Sequence, residues 1–150
     1  MSEYANANEE GWFDKFESDL SLVAEQSVVY STSKRYSENP IVKKMFDFSL
    51  SIIDFNEQLQ QGKKYAIANQ VLRSGTAIGA NVREAQNAES LKDFLHKLKI
   101  ALKEADETEY WLLLCKASPH YPDTDHLVDE LQHILRILNK IVQTIKQRIG

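Results

Sequence analysis

Four acidic side chains lie within six residues of one another, and acid–base chemistry would be sought first in such a cluster. They are Glu104, Asp106, Glu107 and Glu109. Paired carboxylates act as acid and base when their surroundings separate their pKa values. Successive helical positions point in different directions, however, and Glu107 falls beside the predicted inner stripe, where a carboxylate needs a cation. We therefore predict a structural ion pair inside the bundle, with Arg73 or Arg83 as the partner.

Metal and phosphate chemistry are the next alternatives. The loop residues His120, Asp123, Asp125 and His126 crowd together but lack the spaced Cys and His pairs, or the helical His-Glu-x-x-His, of zinc sites. The segment from Ser74 to Gly79 is rich in small residues, but no Lys-Ser/Thr ending follows and no strand precedes it. We interpret the first as a polar loop and the second as close helix packing. We expect no catalysis, metal, cofactor or small-molecule substrate.

Basic side chains gather at the start of the third predicted helix. They are Arg83, Lys92, Lys97, Lys99 and Lys103. A strip of this kind suits phosphate backbones, so these residues are the candidate nucleic-acid contacts. The acids Glu89, Asp93, Glu104 and Asp106 are interleaved with them, and a solvated helix face is the alternative.

An acidic amphipathic segment lies near the N-terminus. Trp12, Phe13 and Phe16 have helical spacing and are flanked by five acids, at positions 9, 10, 14, 17 and 19. Segments of this type dock onto grooves or basic surfaces. We predict docking on the chain's own bundle or on a neighbouring subunit; disorder and a foreign partner are the alternatives.

Composition limits what these residues can belong to. A chain of 150 residues is about one domain, and five Gly and three Pro favour helices over a many-stranded sheet. Residues 1–39 carry three basic and eight acidic side chains, a net charge of −5, whereas the remainder carries 15 basic and 14 acidic, a net charge of +1. The single Cys115 predicts a buried, inert thiol in a reducing, cytoplasmic setting. No apolar run is long enough to span a membrane.

Four amphipathic segments predict an all-α, antiparallel up-down-up-down four-helix bundle over residues 39–150, preceded by an acidic, partly helical extension over residues 1–38. The first helix begins at Asn39-Pro40 and ends near Gly62. The second starts around 63–66, the third is capped by Ser90 and ends before Pro119, and the fourth is capped by Thr124 or Asp125.

The first helix carries a second apolar stripe of Val42, Phe46 and Ile53 beside its inner one. A surface helix of a monomer normally shows one apolar face, so the extra width predicts burial against another subunit or against the extension. We assign Trp111, which falls to one side of the third helix, to the same oligomer interface.

Three sequence blocks carry a family resemblance. They are QVLRSGTAIGANVREA from Gln70 to Ala85, DFLHKL from Asp93 to Leu98 and ALKEADETEYWL from Ala101 to Leu112. Together they resemble the bacterial four-helix-bundle proteins first found encoded in intervening sequences of 23S ribosomal RNA genes. The likeness runs from about Ser37 to the C-terminus and leaves the N-terminal extension outside it.

The resemblance implies an all-helical, non-enzymatic protein that assembles as a ring, typically a homopentamer. Relatives that serve as accessory variability determinants of diversity-generating retroelements bind nucleic acid and a reverse transcriptase through surface Lys and Arg. The positions that match the family motif are Arg73, Ser74, Asn81, Glu84, Glu107 and Glu109. We interpret them as polar contacts of the bundle and its interfaces.

These observations predict a homo-oligomeric binding or scaffold subunit, accessory to a complex that contains RNA, DNA or a reverse transcriptase. The alternative is a protein–protein adaptor without nucleic-acid binding, in which the acidic N-terminal segment is the docking element.

Overall fold

The computed structural model describes residues 39–150, and this part of the chain is folded into four α-helices without a β-strand. They are α1 (Pro40–Gln61), α2 (Tyr65–Ala85), α3 (Leu91–Ala117) and α4 (Asp125–Ile149). The predicted all-α bundle is confirmed. No helix between residues 39 and 150 has the length and apolarity that crossing a membrane would need. The predicted extension over residues 1–38, with its short helix, lies outside the described residues.

The core is built from one stripe of each helix. Residues spaced three and four apart share a helix face, and burying that face against the other helices supplies most of the stability of such a bundle. All six predicted inner residues of α1 and all six of α4 are buried, from Ile41 to Leu59 and from Leu127 to Ile145. Ile67 and Leu91 are only half-buried, because each lies in the first turn of its helix, where the core ends.

The turn after α1 depends on an unexpected residue. Lys63, rather than Gly62, adopts the left-handed conformation, with φ 58°. Its N–H donates to the carbonyl of Gln60 at 2.9 Å, and the N–H of Lys64 donates to that of Leu59 at 2.8 Å. These two bonds satisfy carbonyls at the end of α1 in the pattern that usually places glycine at the left-handed position.

The helix starts follow two different patterns. Ser90 caps α3 as predicted, because its side chain accepts a hydrogen bond from the N–H of Asp93 at 3.1 Å. Thr124 occupies the cap position of α4, but neither it nor Asp125 acts as the predicted side-chain cap. The hydroxyl of Thr124 is buried and donates to the carbonyl of Leu112 at 3.2 Å, and the carboxylate of Asp123 accepts from the N–H of Asp125 instead. The capping prediction is wrong here because α3 offers Thr124 a buried acceptor.

The glycines of α2 mark its close approach to α1, as predicted. A Cβ added to Gly75 would lie 2.9 Å from both Cγ1 and Cγ2 of Ile52. A Cβ added to Gly79 would lie 3.1 Å from Ser49 Oγ and 3.3 Å from the carbonyl oxygen of Met45. Real Cβ atoms seldom approach other atoms so closely, so α1 packs where side chains are missing from α2.

Successive helices touch in reverse sequence order. The contacts are Asn56–Ala68 and Met45–Gly79 between α1 and α2, Glu84–Lys97 and Ser74–Thr108 between α2 and α3, and Lys116–Asp125 and Glu109–Gln132 between α3 and α4. Residue numbers rise along one helix as they fall along the next, so each helix runs opposite to its neighbour in sequence. Lys64 Nζ lies 5.0 Å from the ring centre of Tyr121, which places the first and third connections at the same end.

Candidate functional site

The acidic cluster of α3 forms a surface ion pair. Arg73 pairs with Glu107 and, at 3.5 Å, with Glu104, and the Trp111 Nε1–H donates to Glu107 Oε1 at 3.2 Å. The Arg73 side chain is 53% exposed, so the pair lies at the edge of the bundle instead of inside it as predicted. Hydrogen bonds from Arg73 and then from Trp111 lower the pKa of Glu107, and the bond to Glu107 raises the pKa of Arg73. The packing of α2 on α3 places Arg73, and not Arg83, next to Glu104 and Glu107.

Beneath this pair lies a buried polar contact between α2 and α3. Ser74 and Thr108 are fully buried, and their hydroxyl oxygens are 3.0 Å apart. Each hydroxyl also lies within hydrogen-bond distance of the carbonyl four residues earlier, that of Gln70 at 2.9 Å and that of Glu104 at 2.7 Å. The two polar side chains are therefore satisfied in the core by one another and by these two carbonyls.

The other three positions that match the family motif also make contacts within the chain. Asn81 donates to the carbonyl of Ala77 at 2.8 Å, and Glu84 pairs with Lys97 at 3.5 Å. Glu109 accepts a hydrogen bond from Gln132 and so links α3 to α4. None of these arrangements brings a nucleophile next to a base.

A buried amide between α1 and α2 escaped the sequence analysis. Asn56 is buried, its Nδ2 donates to the carbonyl of Ala68 at 2.7 Å, and its Oδ1 accepts from Gln60 at 2.8 Å. Asn56 lies four residues after Ile52 and three before Leu59, so its spacing placed it beside the inner stripe of α1, but its polar side chain kept it out of the predicted core.

The residues weighed for metal or thiol chemistry do not form a centre. Between residues 39 and 150 no group of three or more His, Cys, Asp or Glu side chains is placed to hold a metal. His126 lies 3.4 Å from Glu130 one turn on, and Asp125 pairs with Lys116. Cys115 is buried, and burial raises the pKa of its thiol, which keeps it protonated.

The second stripe of α1 is exposed over most of its length. Phe46 is 59%, Leu50 47% and Ile53 40% exposed, whereas Val42 is already buried within the single chain. Leu50 was not part of the predicted stripe, although its spacing from Phe46 and Ile53 places it on the same face. We call Phe46, Leu50 and Ile53 the α1 stripe.

Trp111, the fourth predicted interface residue, lies on α3. It is half-buried, packs edge-on against Tyr110 with ring centres 5.1 Å apart, and reaches Arg73 of α2 through Glu107. Of the four predicted interface residues, Phe46 and Ile53 are exposed, Trp111 is half-buried and Val42 is buried, so the four do not form one exposed patch.

The predicted basic strip divides into paired and unpaired cations. Lys97 pairs with Glu84, and Arg83 lies on α2. Lys92, Lys99 and Lys103 are exposed and form no ion pair with any residue in the described range 39–150. Their spacing of seven and four residues places them on one face of α3. We call these three residues the α3 lysines.

The same face continues into apolar residues that the sequence analysis did not assign to a site. Tyr110 is 57% exposed, and Leu113 and Leu114 beside it are exposed as well. The outward face of α3 thus carries the three lysines over its first half, the exposed Asp106 between Lys103 and Tyr110, and aromatic and aliphatic side chains over its second half. We call Tyr110, Leu113 and Leu114 the α3 apolar patch.

Comparison with known proteins gives one family and a related solved structure. The model of the 23S rRNA-intervening sequence protein family matches residues 37–140. A crystal structure from Bacteroides thetaiotaomicron, described as a protein with unknown function from the S23 ribosomal protein family, is 38% identical, with a TM-score of 0.65. The alignment covers 68% of this chain and 97% of that one. No curated protein matches the chain.

Proposed function

This chain belongs to the 23S rRNA-intervening sequence protein family, as its sequence blocks predict, and from that premise we propose that it is a self-assembling, non-enzymatic scaffold subunit. The observation that carries the proposal is the α1 stripe: large apolar side chains stay exposed on a helix whose inner face is fully used by the core. Exposed apolar residues in one contiguous row mark protein–protein contacts more often than they mark a free surface.

The occupant of the α1 stripe in this proposal is a second copy of the chain. Helices meet through apolar stripes of three-and-four spacing, and the α1 stripe has that spacing. A subunit that presents one stripe to a neighbour and receives another in turn closes into a ring if the rotation between copies allows it. The homopentamer that the family resemblance implies is one such ring.

The test of self-assembly is the solution mass of the full chain, measured by light scattering. We expect a multiple of 17.2 kDa for the natural sequence and a single-chain mass for the double substitution Phe46→Ser/Ile53→Ser. Both side chains are exposed, so helical content measured by circular dichroism should not change. Tyr65→Ser is the matched control, because Tyr65 is an equally exposed aromatic outside the stripe and its loss should leave the mass unchanged.

A mass of 17.2 kDa for the natural sequence would refute the scaffold proposal. An unchanged oligomer in the double variant would refute the α1 stripe as its contact. If Tyr65→Ser dissociated the oligomer, the interface would lie on α2.

A second candidate function, contact with nucleic acid, rests on the α3 lysines. Exposed cations without an acidic partner lose little when they exchange counterions for phosphates. Three such contacts predict a salt slope of about −2 for single-stranded RNA, or roughly a 20-fold loss of affinity between about 50 and 200 mM salt. Fluorescence anisotropy with a labelled RNA measures this slope.

The variant Lys99→Glu/Lys103→Glu should abolish RNA binding, whereas Lys140→Glu/Lys146→Glu on α4 should change it much less. Affinity that does not depend on salt, or equal losses in the two variants, would count against the α3 lysines as a phosphate site.

A further inference from the structure

The described bundle has two exposed apolar surfaces of similar size. Among residues 39–150, seven large apolar side chains are exposed, and six of them belong to the α1 stripe and the α3 apolar patch. Tyr65 is the seventh. Contiguous apolar side chains on a protein surface mark contacts with another chain, so both surfaces call for an occupant.

We infer that the α1 stripe of one copy packs against the α3 apolar patch of the next copy, in a head-to-tail contact. The inference rests on the proposed function, because it names the surface that receives the α1 stripe in the self-assembled protein. A head-to-tail contact joins two different surfaces and leaves each pair of copies with a stripe and a patch for further neighbours. It closes into a ring when the rotation between copies allows it.

The two surfaces lie on different sides of the bundle. Gly75 and Gly79 of α2 face α1, whereas Ser74 of α2 faces Thr108 of α3. Helices α1 and α3 therefore pack on different faces of α2, and their outward side chains point away from the bundle in different directions. One copy can then hold a neighbour on each side at the same time, which a head-to-tail assembly requires.

The two surfaces also follow one another closely along the bundle. Ile52 of α1 packs on Gly75 of α2, and the adjacent Ser74 meets Thr108 of α3. The last residue of the α1 stripe is therefore level with Thr108, two residues or about 3 Å before Tyr110. The centres of the stripe and the patch differ in level by about 10 Å, and an inclination of the bundles to the ring axis compensates for an offset of this size.

Charge favours the pairing of a stripe with a patch over the pairing of two stripes. The exposed charged residues of α1 are one lysine and three acids, and those of α3 are four lysines and one acid. They are Lys43, Asp47, Asp54 and Glu57 on α1, and Lys92, Lys99, Lys103, Asp106 and Lys116 on α3. The half-buried Glu104 and Glu107 of α3 are paired with Arg73. Stripe against stripe would bring two acidic helices together, whereas stripe against patch brings an acidic helix to a basic one, and charge complementarity of this kind selects partners.

The test uses two variants of the full chain, each of which loses one surface. Phe46→Ser/Ile53→Ser removes the α1 stripe, and Tyr110→Ser/Leu114→Ser removes the α3 apolar patch. Each variant alone lacks one side of every contact, so light scattering should give a single-chain mass of 17.2 kDa for both. All four side chains are exposed, so helical content measured by circular dichroism should not change, and Tyr65→Ser is the matched control for the loss of an exposed tyrosine.

An equimolar mixture of the two variants separates a head-to-tail contact from other kinds of assembly. The first variant still has its patch and the second still has its stripe, so one intact contact forms between them and no third copy can be added. We expect the mass of the mixture to rise with concentration to twice 17.2 kDa and no further.

The outcomes distinguish this inference from the proposed function. If Tyr110→Ser/Leu114→Ser kept the natural oligomer while Phe46→Ser/Ile53→Ser dissociated it, the inference would be overturned and the scaffold proposal would stand. Two dissociated variants whose mixture keeps the single-chain mass over the whole concentration series would also overturn the inference. A single-chain mass for the natural sequence would refute the scaffold proposal and the inference with it.

Discussion

Helix α2 meets its two neighbours through different chemistry. Against α1 it presents glycines, and at this crossing the contact depends on shape, because Ile52 occupies the space where a Cβ of Gly75 would be. Against α3 it presents polar side chains. Ser74 contacts Thr108 of α3 in the core, and Arg73 pairs with Glu107 of α3 at the surface. At the glycine crossing, an added atom has no free space to occupy. On the α3 side, when one hydroxyl is removed, the other still has a backbone carbonyl as a hydrogen-bond partner. We therefore expect the α1 side to be the less tolerant of the two.

Among single changes on the two sides of α2, the largest effect should follow Gly75→Ala. The added Cβ would lie 2.9 Å from two carbons of the fully buried, β-branched Ile52, and overpacking of this kind costs about 1–3 kcal/mol. Alanine also favours the helix by about 1 kcal/mol over glycine, so the net loss in free energy of unfolding should be up to about 2 kcal/mol. Urea unfolding followed by circular dichroism measures it.

Two further variants make this prediction specific to the crossing. Gly62→Ala should not destabilise through a clash, because no atom would lie closer than 3.5 Å to its Cβ. Ile52→Ala alone should cost about 2–5 kcal/mol, and combined with Gly75→Ala it should cost less than the sum of the two single changes. Additive losses would show that Gly75 is not constrained by Ile52.

A smaller effect is expected at the buried hydroxyls. Thr108→Val keeps the shape of the side chain and removes its oxygen, while Ser74 still donates to the carbonyl of Gln70. The loss should be about 1 kcal/mol or less, the usual net value of one hydrogen bond. Ser74→Ala is the matched change on the other side, because Thr108 then retains the carbonyl of Glu104.

The two single changes should each cost little, and the double change should cost no more than their sum. A loss of several kcal/mol from either one would mean that the α2–α3 contact is as intolerant as the glycine crossing, and the contrast between the two sides would fail.

The smallest effect belongs to the surface ion pair and appears as a pH dependence. The pKa of Glu107 is lowered in the folded chain by hydrogen bonds from Arg73 and Trp111. Its contribution to stability is therefore present above the ordinary glutamate pKa of about 4.3 and is lost as the pH falls through the lowered value. Glu107→Gln should reduce the melting temperature slightly at pH 7, and the difference from the natural chain should shrink below about pH 4.

Asp54→Asn on the exposed side of α1 is the control for this prediction, because it removes one carboxylate without touching Arg73. A difference between Glu107→Gln and the natural chain that grows as the pH falls would contradict the assigned direction of the pKa shift.

The fold was predictable because its signals are local. The apolar residues of α1 and α4 recur every three or four positions, and Pro40 and Ser90 mark helix starts through groups that lie within one turn. The close approach at Gly75 and Gly79 could also be predicted, because glycine weakens a helix and two of them a turn apart need a structural reason.

The candidate site was less predictable, since its contacts depend on the register between helices. Both Arg73 and Arg83 carry the charge that Glu107 needs, and only the packing of α2 on α3 selects Arg73 and places the pair at the surface. Thr124 has the residue type of a cap, but a carbonyl of α3 takes its hydroxyl. The exposure of Tyr110 was not visible either, because an aromatic residue in an amphipathic helix fits the core equally well.

By itself, then, the amino-acid sequence determined, between residues 39 and 150, the number of helices, their ends and the residues that face the core, because periodic burial and helix capping act over a few residues along one chain. The tertiary structure alone decided which charges are paired, which hydroxyls meet in the core and which lysines and aromatic residues remain outside. Those outcomes depend on how far each helix is shifted and rotated against the next, and that arrangement is set by the packing of the whole core.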